Sequence, residues 1–155
     1  MQPNANVLKA LEDVLQAEIA AINSYFIHAK LLGNWGYAKL STKAYEESMD
    51  EMRHTEQLVD RIVYFDAIPN LNKIGRVKVA KTVRAQFELA LDLETAQVER
   101  INGAIAICNE AGDDGTRLVL EPMVTAGESS IDWLETQIAA LDALGESAYL
   151  AQQLA

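Results

Sequence analysis

Apolar residues recur at helical spacing along nearly the whole chain, and this periodicity limits the fold more than any other feature. A first segment runs from about Asn6 to Trp35, with Val7, Leu8, Leu11, Leu15, Ile19, Ile22, Tyr25, Phe26 and Ala29 in its pattern. Gly33 and Gly36 close it. A second runs from about Ser41 to Phe65 through Ala44, Ser48, Met52, Thr55, Leu58, Val59 and Ile62. Thr82 is a suitable cap for a third, which carries Phe87, Leu91, Val98, Ile101 and Ile105 and reaches about Glu110. Asp113 or Asp114 caps a fourth, ending near Leu144 ahead of Gly145. A short fifth helix spans roughly Glu146 to Gln153.

The connections convert this list into a topology. Segments one and two are joined by about five residues, and three and four just as tightly, so each pair is antiparallel. Between segments two and three lie about sixteen residues, Asp66 to Lys81, long enough when extended to run the length of a 25-residue helix, roughly 38 Å. A link that long allows helices two and three to be parallel. The fold class is all-α: a ferritin-like four-helix bundle with one long crossover and a short fifth C-terminal helix. A length of 155 residues, half of them apolar, suits one domain over 1–155 with a real core.

Acidic residues outnumber basic ones 23 to 13, for a formal charge of −10. With no Lys/Arg-rich run, nucleic acid is not an expected partner; a net acidic surface attracts cations. The lone Cys108 excludes an intrachain disulfide and a Cys-rich metal site, and it fits a reducing compartment. The first residues lack a signal-peptide layout, and no apolar run reaches membrane-spanning length. These features lead to the expectation of a cytoplasmic protein with no membrane partner. There are 2 histidines, His28 and His54, so any site needing several imidazoles has little to draw on.

One constellation stands out. Ferritin-like di-iron sites take one Glu from each of two helices and Glu-x-x-His from each of the other two. Residues i and i+3 share a helix face and can reach one metal. Helix two supplies Glu51-Met52-Arg53-His54, helix one offers Glu18, and helix three offers Glu94 between Leu91 and Val98. Each is an acid on an otherwise apolar face. Helix four should carry a second Glu-x-x-His and does not, since both histidines lie on helices one and two.

The chain resembles a bacterioferritin over nearly its whole length. The resemblance is carried by Glu18-Ile19-Ala20-Ala21-Ile22-Asn23-Ser24-Tyr25-Phe26-Ile27-His28-Ala29 and Trp35-Gly36. It continues in Glu47-Ser48-Met49-Asp50-Glu51-Met52-Arg53-His54, Pro69-Asn70-Leu71, Ile131-Asp132-Trp133-Leu134-Glu135-Thr136-Gln137 and Tyr149-Leu150. It implies a shell of twenty-four bundles that stores ferric mineral, with a di-iron ferroxidase centre in each bundle and haem b between two-fold-related chains. The implied metal ligands are Glu18, Glu51, His54 and Glu94. The remaining two positions are Gly127 and Ser130, so both of helix four's ligands are lost. One iron keeps Glu18, Glu51 and His54; the other keeps Glu94 and the shared Glu51, without its imidazole. Glu128 is a possible substitute, although it lies about 100° around the helix from residue 127.

Met52 follows a different geometry. It sits about 130° around the helix from the direction shared by Glu51 and His54, so it cannot reach their metal and should face a neighbouring chain. The resemblance makes it the haem axial ligand, one Met from each chain of a homodimer. It places Ile19, Ile22, Asn23, Phe26, Tyr45, Met49 and Leu71 around the macrocycle. It also implies a small ferredoxin as reductant, and the missing ligands suggest a companion subunit that retains an intact ferroxidase centre. His28, Trp35 and Trp133 read as structural residues, and Asp50 and Glu46 as solvated acids. Two other readings remain at this point: a residual ferroxidase built on Glu18, Glu51, His54 and Glu94, and a purely structural shell subunit holding neither haem nor metal.

Overall fold

A computed structural model describes residues 2–154. Four long helices, α1 (Ala5–Asn34), α2 (Ala38–Tyr64), α3 (Val83–Ala111) and α4 (Asp114–Leu144), precede a short α5 (Glu146–Ala151), and no strand occurs among the described residues. No helix is long and apolar enough to cross a membrane.

The helix ends follow their local chemistry. The Asn4 side chain accepts from the Asn6 and Val7 amides, Thr82 from Ala85, and Asp113 from Thr116, satisfying amides that have no partner inside the helix. Gly112 ends α3 with φ +68°, a left-handed conformation that costs glycine little. Two ends differ from expectation. Gly33 lies inside α1, which runs on to Asn34; Gly36, at φ +90°, makes the turn. α2 begins at Ala38, three residues before Ser41. The Ser41 hydroxyl donates to the Ala29 carbonyl at 2.8 Å and ties α2 to α1. The start of α2 is satisfied in part from the other end of the chain, where the Gln153 carbonyl accepts from the Lys39 amide at 3.2 Å.

The crossover confirms the parallel arrangement. Its Asn70 carbonyl accepts from Gln16, its Lys78 carbonyl from Ser24, and its Ala80 amide donates to His28. The segment thus climbs along α1 from the level of Gln16 to that of His28. α3 then descends, with Tyr25 bonded to Glu94 and Gln97 bonded to Glu18 and to the Val14 carbonyl. In cross-section α1 packs on α2 and α3, and α4 packs on α3 and α2, leaving α2 and α3 on a diagonal.

Pro122 lies within α4, which nevertheless runs unbroken to Leu144. Pro122 and Leu118, four residues earlier, are both exposed. Water can therefore reach the Leu118 carbonyl that lacks a proline amide donor.

The apolar core is split. One cluster holds Leu11, Leu15, Leu58, Ile62, Ile101, Leu120 and Met123. The other holds Leu32, Leu40, Val83, Phe87, Leu134, Leu141 and Tyr149. Glu18, Glu47, Glu51 and Glu94 are buried along the stretches of α1, α2 and α3 that lie between the two.

Candidate metal centre

Three of the expected ligands meet. One ligand atom from each of Glu18, Glu51 and His54 lies within 4.8 Å of the others. His54 Nδ1 stands 3.3 Å from Glu51 Oε2 and 3.9 Å from Glu18 Oε1. Glu18 is 1% exposed, and its Oε2 has no hydrogen-bond partner among the described residues. A buried carboxylate oxygen left bare is costly unless something charged or donating completes it. Glu94 is buried on α3, and its Oε1 accepts from the Tyr25 hydroxyl at 2.8 Å. Burial first, and then the negative charge of Glu51, hold the Glu94 carboxyl well above the usual carboxylate range; the Tyr25 bond works against them. Burial also raises the Tyr25 phenol, helped by Glu94 and Glu47.

Glu94 does not join the His54 group. It groups with Glu51 and with Glu47, a buried residue one turn before Glu51, again with ligand atoms within 4.8 Å of one another. Sequence reasoning passed over Glu47. The signal was present, because Glu47, Glu51 and His54 at i, i+4 and i+7 share a helix face. Glu47 Oε2 accepts from the Ser130 hydroxyl at 3.1 Å, and Lys43 Nζ lies 3.1 Å from its Oε1. Gln97, another unexpected member, donates to Glu18 Oε1 at 2.9 Å.

α4 contributes no carboxylate to either group. Glu128 is exposed and belongs to neither group. Gly127 is buried, and a Cβ there would sit 2.6 Å from Val98 Cγ2. Val98 has therefore taken the space that a side chain at position 127 needs. Two clefts reach the centre, one lined by Glu47, Asp50, Glu51, His54 and Ser130, the other by Glu18, Glu51, Glu94, Arg76 and Arg100.

Met52 lies away from this chemistry and is 43% exposed. Phe26, Tyr45 and Leu71 are also exposed, and the Phe26 and Tyr45 ring centroids lie 6.5 Å apart. Asn23 is exposed, whereas Ile19, Ile22 and Met49 are half-buried. His28 is buried, and its Nε2 accepts from the Ala80 amide at 2.9 Å. Trp35 and Trp133 pack against the second core cluster; Glu46 and Asp50 are exposed.

A parallel crossover bundle with a buried layer of glutamates and one histidine is the signature of the ferritin-like class, and a family model described as "Ferritin-like domain" matches residues 8–144. The chain is 42% identical to a bacterioferritin of Mycobacterium leprae and 41% identical to bacterioferritin BfrA of Mycobacterium tuberculosis. Both matches extend over 152 residues, 98% of this chain and 96% of each relative. A bacterioferritin of Streptomyces coelicolor is 38% identical over 150 residues, 97% of this chain and 90% of that protein. The solved structure of M. tuberculosis bacterioferritin BfrA superposes with a TM-score of 0.97 at 41% identity, covering 100% of this chain and 98% of that one. The chain belongs to the bacterioferritin family.

Proposed function

We propose that this chain is an iron-storage subunit that holds haem b through Met52 and carries an incomplete ferroxidase centre. The observation that carries the reading is the division of labour on α2. Glu51 and His54 face the bundle interior, whereas Met52 offers a thioether from the outside, 43% exposed.

The residues fit a haem. Its iron accepts a thioether ligand, and two-fold symmetry supplies two identical ones without calling on a histidine. Bound there, haem supplies one-electron transfer. The chain's part is to hold the iron with Met52 and to cover the macrocycle with Phe26, Tyr45, Leu71, Ile19, Ile22, Asn23 and Met49. Electrons delivered by a small ferredoxin would then reduce stored ferric mineral and release iron. Twenty-four such subunits form the shell, located in the cytoplasm, and the acidic surface draws ferrous ions toward it.

Gly127 and Ser130 stand where family resemblance expects the ligands of α4. Oxidation of incoming iron therefore falls chiefly to a companion subunit in the same shell. Native mass spectrometry of shells from the source organism tests this reading, with one haem per pair of chains and a second subunit type as the expected result. Shells of this chain alone, carrying no haem, would contradict it.

A second reading has its own support, since Glu18, Glu51 and His54 do converge. It makes the chain a working ferroxidase. Rapid aerobic Fe(II) oxidation by the purified chain, abolished in Glu51→Ala/His54→Ala, would favour that reading over the first.

A further inference from the structure

We propose that a cavity inside the bundle, beside the glutamate layer, binds a short neutral alcohol whose hydroxyl is held by Gln86 and His28. The inference depends on neither Met52 nor a bound metal, so it is tested apart from the proposed function.

All four long helices contribute to the cavity wall. Leu32 on α1, Leu40 on α2, Phe87 on α3 and Leu134 on α4 supply apolar surface. The cavity measures about 30 Å³. One water needs roughly 10–15 Å³, so there is room for a molecule of two or three heavy atoms. A void walled by hydrocarbon alone stays dry or takes a gas. One atom decides against that here. Gln86 lines the cavity and is 3% exposed, and its Oε1 has no hydrogen-bond partner among the described residues. Its Nε2 donates to the Ala80 carbonyl at 3.2 Å, which fixes the amide and leaves the oxygen as the open acceptor. A buried acceptor without a donor is destabilising. The occupant must therefore donate a hydrogen bond, which dioxygen and other apolar gases cannot do.

His28 supplies the complement. It lines the same cavity, and its Nε2 accepts from the Ala80 amide at 2.9 Å. Burial holds the imidazole down to about 4, so the ring is neutral at physiological pH and carries its proton on Nδ1. Gln86 and His28 are thus anchored on one residue, Ala80, through its carbonyl and its amide. A single hydroxyl both donates and accepts, matching an open acceptor and an imidazole N–H, and a methyl or ethyl tail suits the leucines and Phe87. An ion does not fit. The charged residues of the wall, Lys43 and Glu47, pair with each other at 3.1 Å, so no unbalanced charge faces the occupant. The wall also joins the cavity to the carboxylate layer, since Tyr25 bonds Glu94 and Ser130 bonds Glu47. The small side chain at position 130 thereby leaves space on this side of the bundle.

Ethanol is the probe. Trp133 lines the cavity and serves as reporter in a Trp35→Phe background. Its fluorescence should shift with ethanol and reach saturation. Gln86→Leu should weaken the binding about tenfold through loss of one hydrogen bond. Ala90→Val, which fills the cavity from α3, should abolish it. Shell size should be the same in all of these proteins. A shift that grows linearly without saturating, or saturable binding of equal strength in Gln86→Leu, would overturn the proposal. Should the variants fail to assemble, wild-type crystals soaked in ethanol decide. Density for ethanol with its oxygen within hydrogen-bond reach of Gln86 Oε1 supports the site, and a cavity that holds water alone or nothing refutes it.

Discussion

The Cβ that Gly127 lacks would lie 2.6 Å from Val98 Cγ2, so the space beside α4 at this position is occupied from α3. Placing a glutamate at position 127 is therefore more than a matter of side-chain chemistry. Overpacking of this kind costs about 1–3 kcal/mol. Gly127→Ala should lower the unfolding temperature by several degrees, although alanine ordinarily favours a helix over glycine. Adding Val98→Ala should recover most of the loss. The same coupling predicts that Gly127→Glu/Ser130→His gains fast Fe(II) oxidation only when Val98→Ala accompanies it. Stopped-flow absorbance of ferric products separates the two variants.

Burial holds the His28 imidazole down to about 4 from its ordinary 6.5. Its neutral Nε2 accepts from the Ala80 amide and pins the end of the crossover to α1. Between these two values the unfolded chain binds a proton that the folded chain refuses. The stability contributed by neutral His28 is thus complete above pH about 6.5 and is lost as pH falls toward 4, by on the order of 2 kcal/mol. His28→Gln lacks this titration, so its unfolding temperature should fall less between pH 7 and about pH 4.5. Parallel curves for the two proteins would show that His28 does not titrate in this way.

Glu51 stands in both carboxylate groups, 6% exposed and close to other acids. A buried charge that lacks a full complement of partners destabilises a fold even where function requires it. Glu51→Gln should raise the unfolding temperature of the metal-free protein by several degrees. It should also remove the rise that Mn2+ gives the wild type through binding to the folded state. Differential scanning calorimetry with and without Mn2+ reads both effects. A variant less stable than wild type and still stabilised by Mn2+ would contradict the account of this layer.

Much of this architecture was legible in the sequence because it rests on periodicity and connection length. The apolar pattern located five helices, and the length of the crossover allowed α2 and α3 to run parallel. The start of α2 lies three residues before Ser41 because its N-cap, Tyr37, makes no side-chain cap bond that a sequence pattern could signal. The centre was half legible. Glu51 and His54 carry a local spacing signal, and Glu18 and Glu94 interrupt apolar stripes. Glu47 carries the same helical spacing, but its inward placement depends on Lys43 and Ser130, the latter 83 residues away. That Val98 fills the space beside Gly127 is a tertiary fact that no local pattern encodes.

On the proposed reading, Met52 holds haem between paired chains. Absorption spectra of the purified shell, and of Met52→Ala prepared alongside it, are the decisive measurement. The wild type, as isolated or after addition of haemin, should show a Soret band at one haem per two chains. Met52→Ala should assemble to the same size and lose that band. A Soret band of unchanged position and intensity in Met52→Ala, or none in the wild type after haemin is added, would contradict the claim.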